Sequence, residues 1–117
     1  MLHTIRDIIQ ATESVIAVFT HGEHFTIQAG GRGSSGIWVT DPKHDYHTVV
    51  IYLRTNQGEN EIYKGKFLGF RGSGVKSKRG TERQHILFTE MKHMGDTPSN
   101  WVEFCGGGQN PVKTIQP

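Results

Sequence analysis

Apolar residues follow two different spacings along this chain. Leu2, Ile5, Ile8 and Ile9 recur at helical spacing, and Thr4 with Asp7 fits the Ser/Thr-x-x-acid start of a helix. Residues 4–13 are therefore predicted as an N-terminal helix. After Ser14 the chain turns to β-branched and aromatic runs. Residues 15–20 (VIAVFT) and 24–28 (HFTIQ) read as two strands, with His21-Gly22-Glu23 suited to a hairpin turn between them. Residues 36–40 (GIWVT) read as another strand, stopped by Asp41-Pro42-Lys43. Residues 47–54 (HTVVIYLR) carry five consecutive apolar positions, which predicts a strand at the sheet centre with both faces covered.

Residues 61–70 and 83–91 complete the strand-like runs as a hairpin, with the polar, basic stretch 71–83 as a long mobile loop. Thr97-Pro98 before SNWVEFC, with Gly106 after it, predicts a two-turn helix over 98–105 that buries Trp101, Phe104 and Cys105. Residues 112–115 form a last short strand behind the Asn110-Pro111 turn. The expected class is α+β: an N-terminal helix, a curved and mainly antiparallel sheet or small open barrel of about five to six strands, and a short C-terminal helix.

The 117 residues fit a single domain over 1–117. Apolar residues make up only 34% and glycine numbers 15, which points to many turns and a modest core. A lone cysteine, Cys105, cannot form an internal disulfide, and no signal peptide or long apolar stretch is visible. These features predict a cytoplasmic chain without a membrane segment. A net charge of +2 is too small to name a partner.

The distribution of charge says more. Nine of the thirteen basic residues fall within residues 54–92, against four acids. Arg71, Lys76, Lys78, Arg79 and Arg83 lie in one glycine- and serine-rich stretch with Glu82 as its single acid. Such a stretch suits phosphate contacts, and Trp38, Tyr52, Tyr63, Phe67 and Phe70 offer surfaces on which bases could stack.

Other motifs carry less. Gly31-Arg32-Gly33-Ser34-Ser35-Gly36 matches G-x-G-x-x-G, but a strand follows where dinucleotide binding needs a helix. It is read as a flexible connection, with a backbone anion nest at Arg32 and Ser34 as the alternative. The pairs His21/His24 and His44/His47 have ligand chemistry but sit at turns, so no metal site is assigned. Cys105 falls at a helix C-terminus, where a thiolate is disfavoured. No catalytic set and no cofactor motif emerges. Around the glycines 106–108, Asn100, Trp101, Gln109 and Asn110, with Trp38, could frame a polar pocket with an aromatic wall.

In architecture alone, the basic hairpin on a small β-rich chain resembles RNA- and modified-base-binding barrels of the pseudouridine-synthase-associated (PUA-like) kind; no residue role follows from that. Three readings result. The first is a small non-enzymatic binding module that takes nucleic acid, or another polyanion, on its basic hairpin loop. The second is a small-molecule-binding domain or enzyme with a pocket near Trp101. The third is a homo-oligomeric protein-interaction module.

Overall fold

The computed structural model describes residues 2–117 and places about half of them in seven strands. These are β1 (Val15–Thr20), β2 (Phe25–Ile27), β3 (Gly33–Trp38), β4 (Thr48–Arg54), β5 (Asn60–Lys76), β6 (Glu82–Asp96) and β7 (Val112–Ile115). One short helix, α1 (Trp101–Cys105), follows β6. All seven strands share one sheet in the order β2-β3-β6-β5-β4-β1-β7. Only β1 and β4 pair in parallel, and every other neighbour is antiparallel.

The two strands without a polar face lie side by side. Val15, Ile16, Ala17 and Val18 of β1 and Val49, Val50 and Ile51 of β4 are fully buried. Side chains alternate between sheet faces, so Val50 and Tyr52 enter one core cluster while Val49 and Ile51 enter another. The first cluster is roofed by the N-terminal segment (Ile5, Ile9) and by α1 (Trp101, Phe104). The second joins Ile16 and Val18 to Ile86 and Phe88, with Phe25, Trp38, Tyr63, Phe67 and Phe70 against them. Strands from opposite parts of the sheet meet there, so the sheet curls around that cluster, and Tyr46 packs into it.

This architecture corrects the expected class: the protein is mostly sheet, and among the described residues there is no N-terminal helix. Residues Ile5–Asp7 form a single 3-10 turn. Asp7 closes it by accepting from the backbone N–H groups of His3 (2.8 Å) and Thr4 (3.1 Å). Further along, the Ile8 carbonyl accepts from Lys64 Nζ (2.6 Å), and Glu13 accepts from the Gln10 N–H (2.8 Å). Those groups are thereby tied to the sheet and to a local turn. A helix this short is marginal on its own, so the apolar stripe is buried without one.

Three local expectations also change. β1 and β2 form no hairpin: β1, apolar on both faces, sits between β4 and β7, whereas the half-exposed β2 is an edge strand beside β3. The stretch 71–83 is not a long loop, because β5 runs to Lys76 and β6 starts at Glu82. Between them lies a tight turn, closed by Ser77 N–H to the Thr81 carbonyl (2.8 Å). The glycine-rich run is largely β3, and its glycines serve close packing. A Cβ on Gly33 would collide with the Thr26 carbonyl, and one on Gly36 would lie 2.7 Å from His85 Nδ1.

Candidate functional site

β5 and β6 pair from Glu61 opposite Asp96 to Lys76 opposite Glu82, which makes them the longest hairpin of the sheet. Its distal half, from about residue 68 to 87, forms an arm. Backbone pairing at Arg71, Gly72 and Lys76, broken by a bulge between Gly72 and Lys76, fixes this arm despite a polar sequence, so Arg71, Lys76, Lys78, Arg79 and Arg83 are held on a paired hairpin and its tight turn. All but the half-buried Arg83 are exposed.

Two hollows border the arm. At its root, Arg32 and Arg71 line a hollow of about 350 Å³ together with Thr26, Gln28, Ser34, Leu68 and Leu87. The residues meet there because Thr26 pairs with Ser34 across β2–β3, and Ser34 with Leu87 across β3–β6. A bulge at Leu68, between the Phe67–Phe88 and Gly69–Leu87 pairs, leaves Leu68 48% exposed. At the tip, Lys78, Arg79 and Arg83 line a hollow of about 400 Å³ with Ser77 and the exposed Val39. Each hollow thus combines cations with an apolar surface.

Ion pairing engages Lys64 and Lys66 of the hairpin's other half but not these cations, and Lys92 of β6, exposed, is likewise outside any pair. Among the described residues, the ion pairs are His44–Asp41, Lys64–Glu13, Lys66–Glu90 and His93–Asp96. None involves Arg32, Arg71, Lys76, Lys78, Arg79 or Arg83. The arm's one acid, Glu82, accepts from the Gly74 N–H (3.0 Å). His85 lies opposite Arg71 on β6, and its Nδ1 is buried without a hydrogen-bond partner. Burial, then the charge of Arg71 and of His24, lowers its pKa below the ordinary value, so His85 is neutral at pH 7. The positive charge at the root therefore belongs to Arg32 and Arg71.

The aromatic side chains face elsewhere. Tyr63, Phe67, Phe70 and Trp38 pack against the second cluster, and Trp38 Nε1 donates to Ser35 Oγ (3.1 Å). Trp101 is 5% exposed, packed against Phe19 and Tyr52, with Lys113 Nζ 4.9 Å from its ring centroid. Trp101 is thus closed to stacking, and Trp38 is partly buried against the second cluster.

The residues expected to frame a pocket are only partly brought together. Asn100 and Trp101 share a hollow of about 470 Å³ with Phe19, His21, Tyr52, Arg54, Asn60, Pro98 and Glu103. Trp38 lies on the other core cluster, Gln109 is exposed and outside this hollow, and Asn110 reaches Trp101 only through its carbonyl, which accepts from Nε1 (2.8 Å). Several polar groups in this hollow are already engaged. Arg54 donates to Asn60 (2.7 Å), Asn60 to the Thr97 carbonyl (3.1 Å), and Tyr52 to the Ser99 carbonyl (2.6 Å). Asn100 and Glu103 cap each other's backbone N–H at the start of α1.

The remaining motifs settle into structural places. His21 packs edge-on to Phe19, His44 pairs with Asp41 (3.5 Å), and the Ser14 N–H donates to His47 Nδ1 (3.1 Å). Burial pushes the Cys105 thiol up to about 12, so it stays protonated at neutral pH. Thr26, Gln28, Leu68 and Leu87 were not legible as site residues, because only strand register and a bulge bring them beside Arg32 and Arg71. No helix among the described residues is long and apolar enough to cross a membrane. No family model, curated protein or solved structure matches the chain.

Proposed function

We propose that the protein is a non-enzymatic polyanion-binding module that takes single-stranded nucleic acid along the β5–β6 arm. One observation carries this reading. Among the described residues, six basic side chains clustered on the arm or at its root have no carboxylate partner, while of the hairpin's other lysines Lys64 and Lys66 are paired and Lys92 is not. Cations left without partners, on a backbone-paired hairpin and beside exposed Leu68 and Val39, are suited to phosphates flanked by sugar and base surfaces. Arg32 and Arg71 can each present two N–H donors to one phosphate, and Ser34 and Thr26 add hydroxyls at the root. With the aromatic rings in the core, little stacking is available, so binding is expected to be salt-sensitive and weakly sequence-selective.

Amide chemical-shift mapping with a short single-stranded oligonucleotide tests the reading. Shifts confined to residues 26–34 and 68–87 are expected. Shifts confined to Phe19, Tyr52, Asn100 and Trp101, or no shifts at low salt, would overturn it.

A further inference from the structure

At the other end of the same hairpin, we propose that Glu61, His93 and Asp96 form a binding site for a divalent transition-metal ion. One ligand atom from each of the three lies within 4.8 Å of the others. The backbone explains why these residues meet. Glu61 stands opposite Asp96, and Tyr63 opposite His93. Residues three apart on a regular strand point to opposite faces. Here Ile62 pairs with Gly95 and Tyr63 with His93, so Met94 is an extra residue, and Gly95 adopts φ 133. That bulge turns His93 and Asp96 to one side, over Glu61.

Charge and chemistry fit a cation. Two carboxylates share this space, and no Lys or Arg lies within ion-pair distance of either among the described residues. His93 Nε2, 3.3 Å from Asp96 Oδ1, is the one group there that can carry positive charge. One imidazole with two carboxylates suits zinc, manganese or a similar ion better than calcium or magnesium, which take all-oxygen sets. Bonds of about 2.1 Å would place the ligand atoms about 3.4 Å apart in a tetrahedral site. The side chains of His93 and Asp96 are 48% and 57% exposed, so rotation about their χ angles can close that gap. Tyr63 provides an outer partner. Its hydroxyl donates to Glu61 Oε1 (3.0 Å), its ring lies 5.1 Å from that of His93, and it is anchored by contact with Phe25. Three protein ligands leave the solvent side for water or a bound group.

The site stands independently of the polyanion reading, since it shares none of those residues. Calorimetric titration of the whole chain with zinc chloride, and amide broadening by manganese, test it. One site is expected, with broadening centred on residues 61, 93 and 96. His93→Ala and the shape-preserving Asp96→Asn should each weaken zinc at least tenfold, with unchanged melting temperature in the absence of metal, and His44→Ala should leave binding unchanged. Unaltered affinity in His93→Ala, broadening centred on His21/His24 or His44/His47, or no binding at millimolar metal would overturn the proposal.

Discussion

The two halves of the β5–β6 hairpin carry the same kinds of side chain to different ends. In the proximal half, Lys64 donates to the Ile8 carbonyl and pairs with Glu13 at 3.3 Å, and Lys66 pairs with Glu90 at 3.1 Å. That half borders the roof made by the N-terminal segment and α1. No residue of the distal half belongs to that roofed cluster, and Arg71, Lys76, Lys78, Arg79 and Arg83 have no carboxylate partner among the described residues. A lysine tied to a carbonyl and a carboxylate pins chain to chain. A lysine on an unroofed arm leaves its charge available to an outside anion. A count of basic residues does not show this contrast; it lies in the partners of Lys64 and Lys66, and Lys92 of the proximal half, exposed and without a carboxylate partner among the described residues, stands with the arm.

Substitutions should sharpen this contrast. The largest effect is expected under the roof. Phe104 is 1% exposed in the first cluster, and Phe104→Ala should lower unfolding stability by about 3–5 kcal/mol in urea titrations. Arg79→Ala on the arm should change it by less than about 0.5 kcal/mol. Similar losses at both positions would erase the distinction. Next in size, combined Lys76→Ala, Lys78→Ala and Arg79→Ala should weaken oligonucleotide binding roughly ten- to a hundredfold at low salt, by fluorescence anisotropy, while stability stays constant. A smaller change is expected at Tyr52→Phe, which removes the 2.6 Å bond to the Ser99 carbonyl. It should lower stability by about 1–2 kcal/mol with no change in binding.

The smallest effect concerns pH. Burial pulls the Glu13 pKa up. The Thr48 hydroxyl, the Gln10 N–H and Lys64 together outweigh burial and hold it below its ordinary value of 4.5. The folded state then binds the proton less readily than the unfolded one. The stability from these contacts is present above about pH 4.5 and is lost as pH falls through the lower folded value. Thermal melts of Glu13→Gln should show a lower stability at pH 7 and a flatter decline below pH 5. An unchanged acid limb would remove Glu13 from the account.

What could be read from the sequence follows from where the fold's forces leave a pattern. β1 and β4 were legible because Val15, Ile16, Val49 and Ile51 leave no polar face to confuse the period. The C-terminal helix was legible from Trp101, Phe104 and Gly106, although it starts at Trp101, with Asn100 as its cap, and not at Pro98. The arm was not legible. Within residues 71–76, RGSGVK, the backbone pairs with β6 at Arg71, Gly72 and Lys76 on either side of a bulge, and such pairing imposes no apolar alternation. The parallel β1–β4 pair escaped because short turns point to antiparallel neighbours, and the link between these two strands contains β2 and β3. The trio Glu61, His93 and Asp96 depends on one extra residue, Met94, whose effect on side-chain direction appears only once the register is known.

The most direct measurement of the central claim is the affinity for a single-stranded oligonucleotide from about 50 to 200 mM salt. It should be made with the wild type and with a variant in which Arg32, Arg71, Lys76, Lys78, Arg79 and Arg83 are all alanine. If the six cations meet phosphates, log affinity should fall against log salt with a slope of roughly −4 in the wild type, close to zero in the variant. A shallow slope in the wild type, or the same slope in both proteins, would contradict the account.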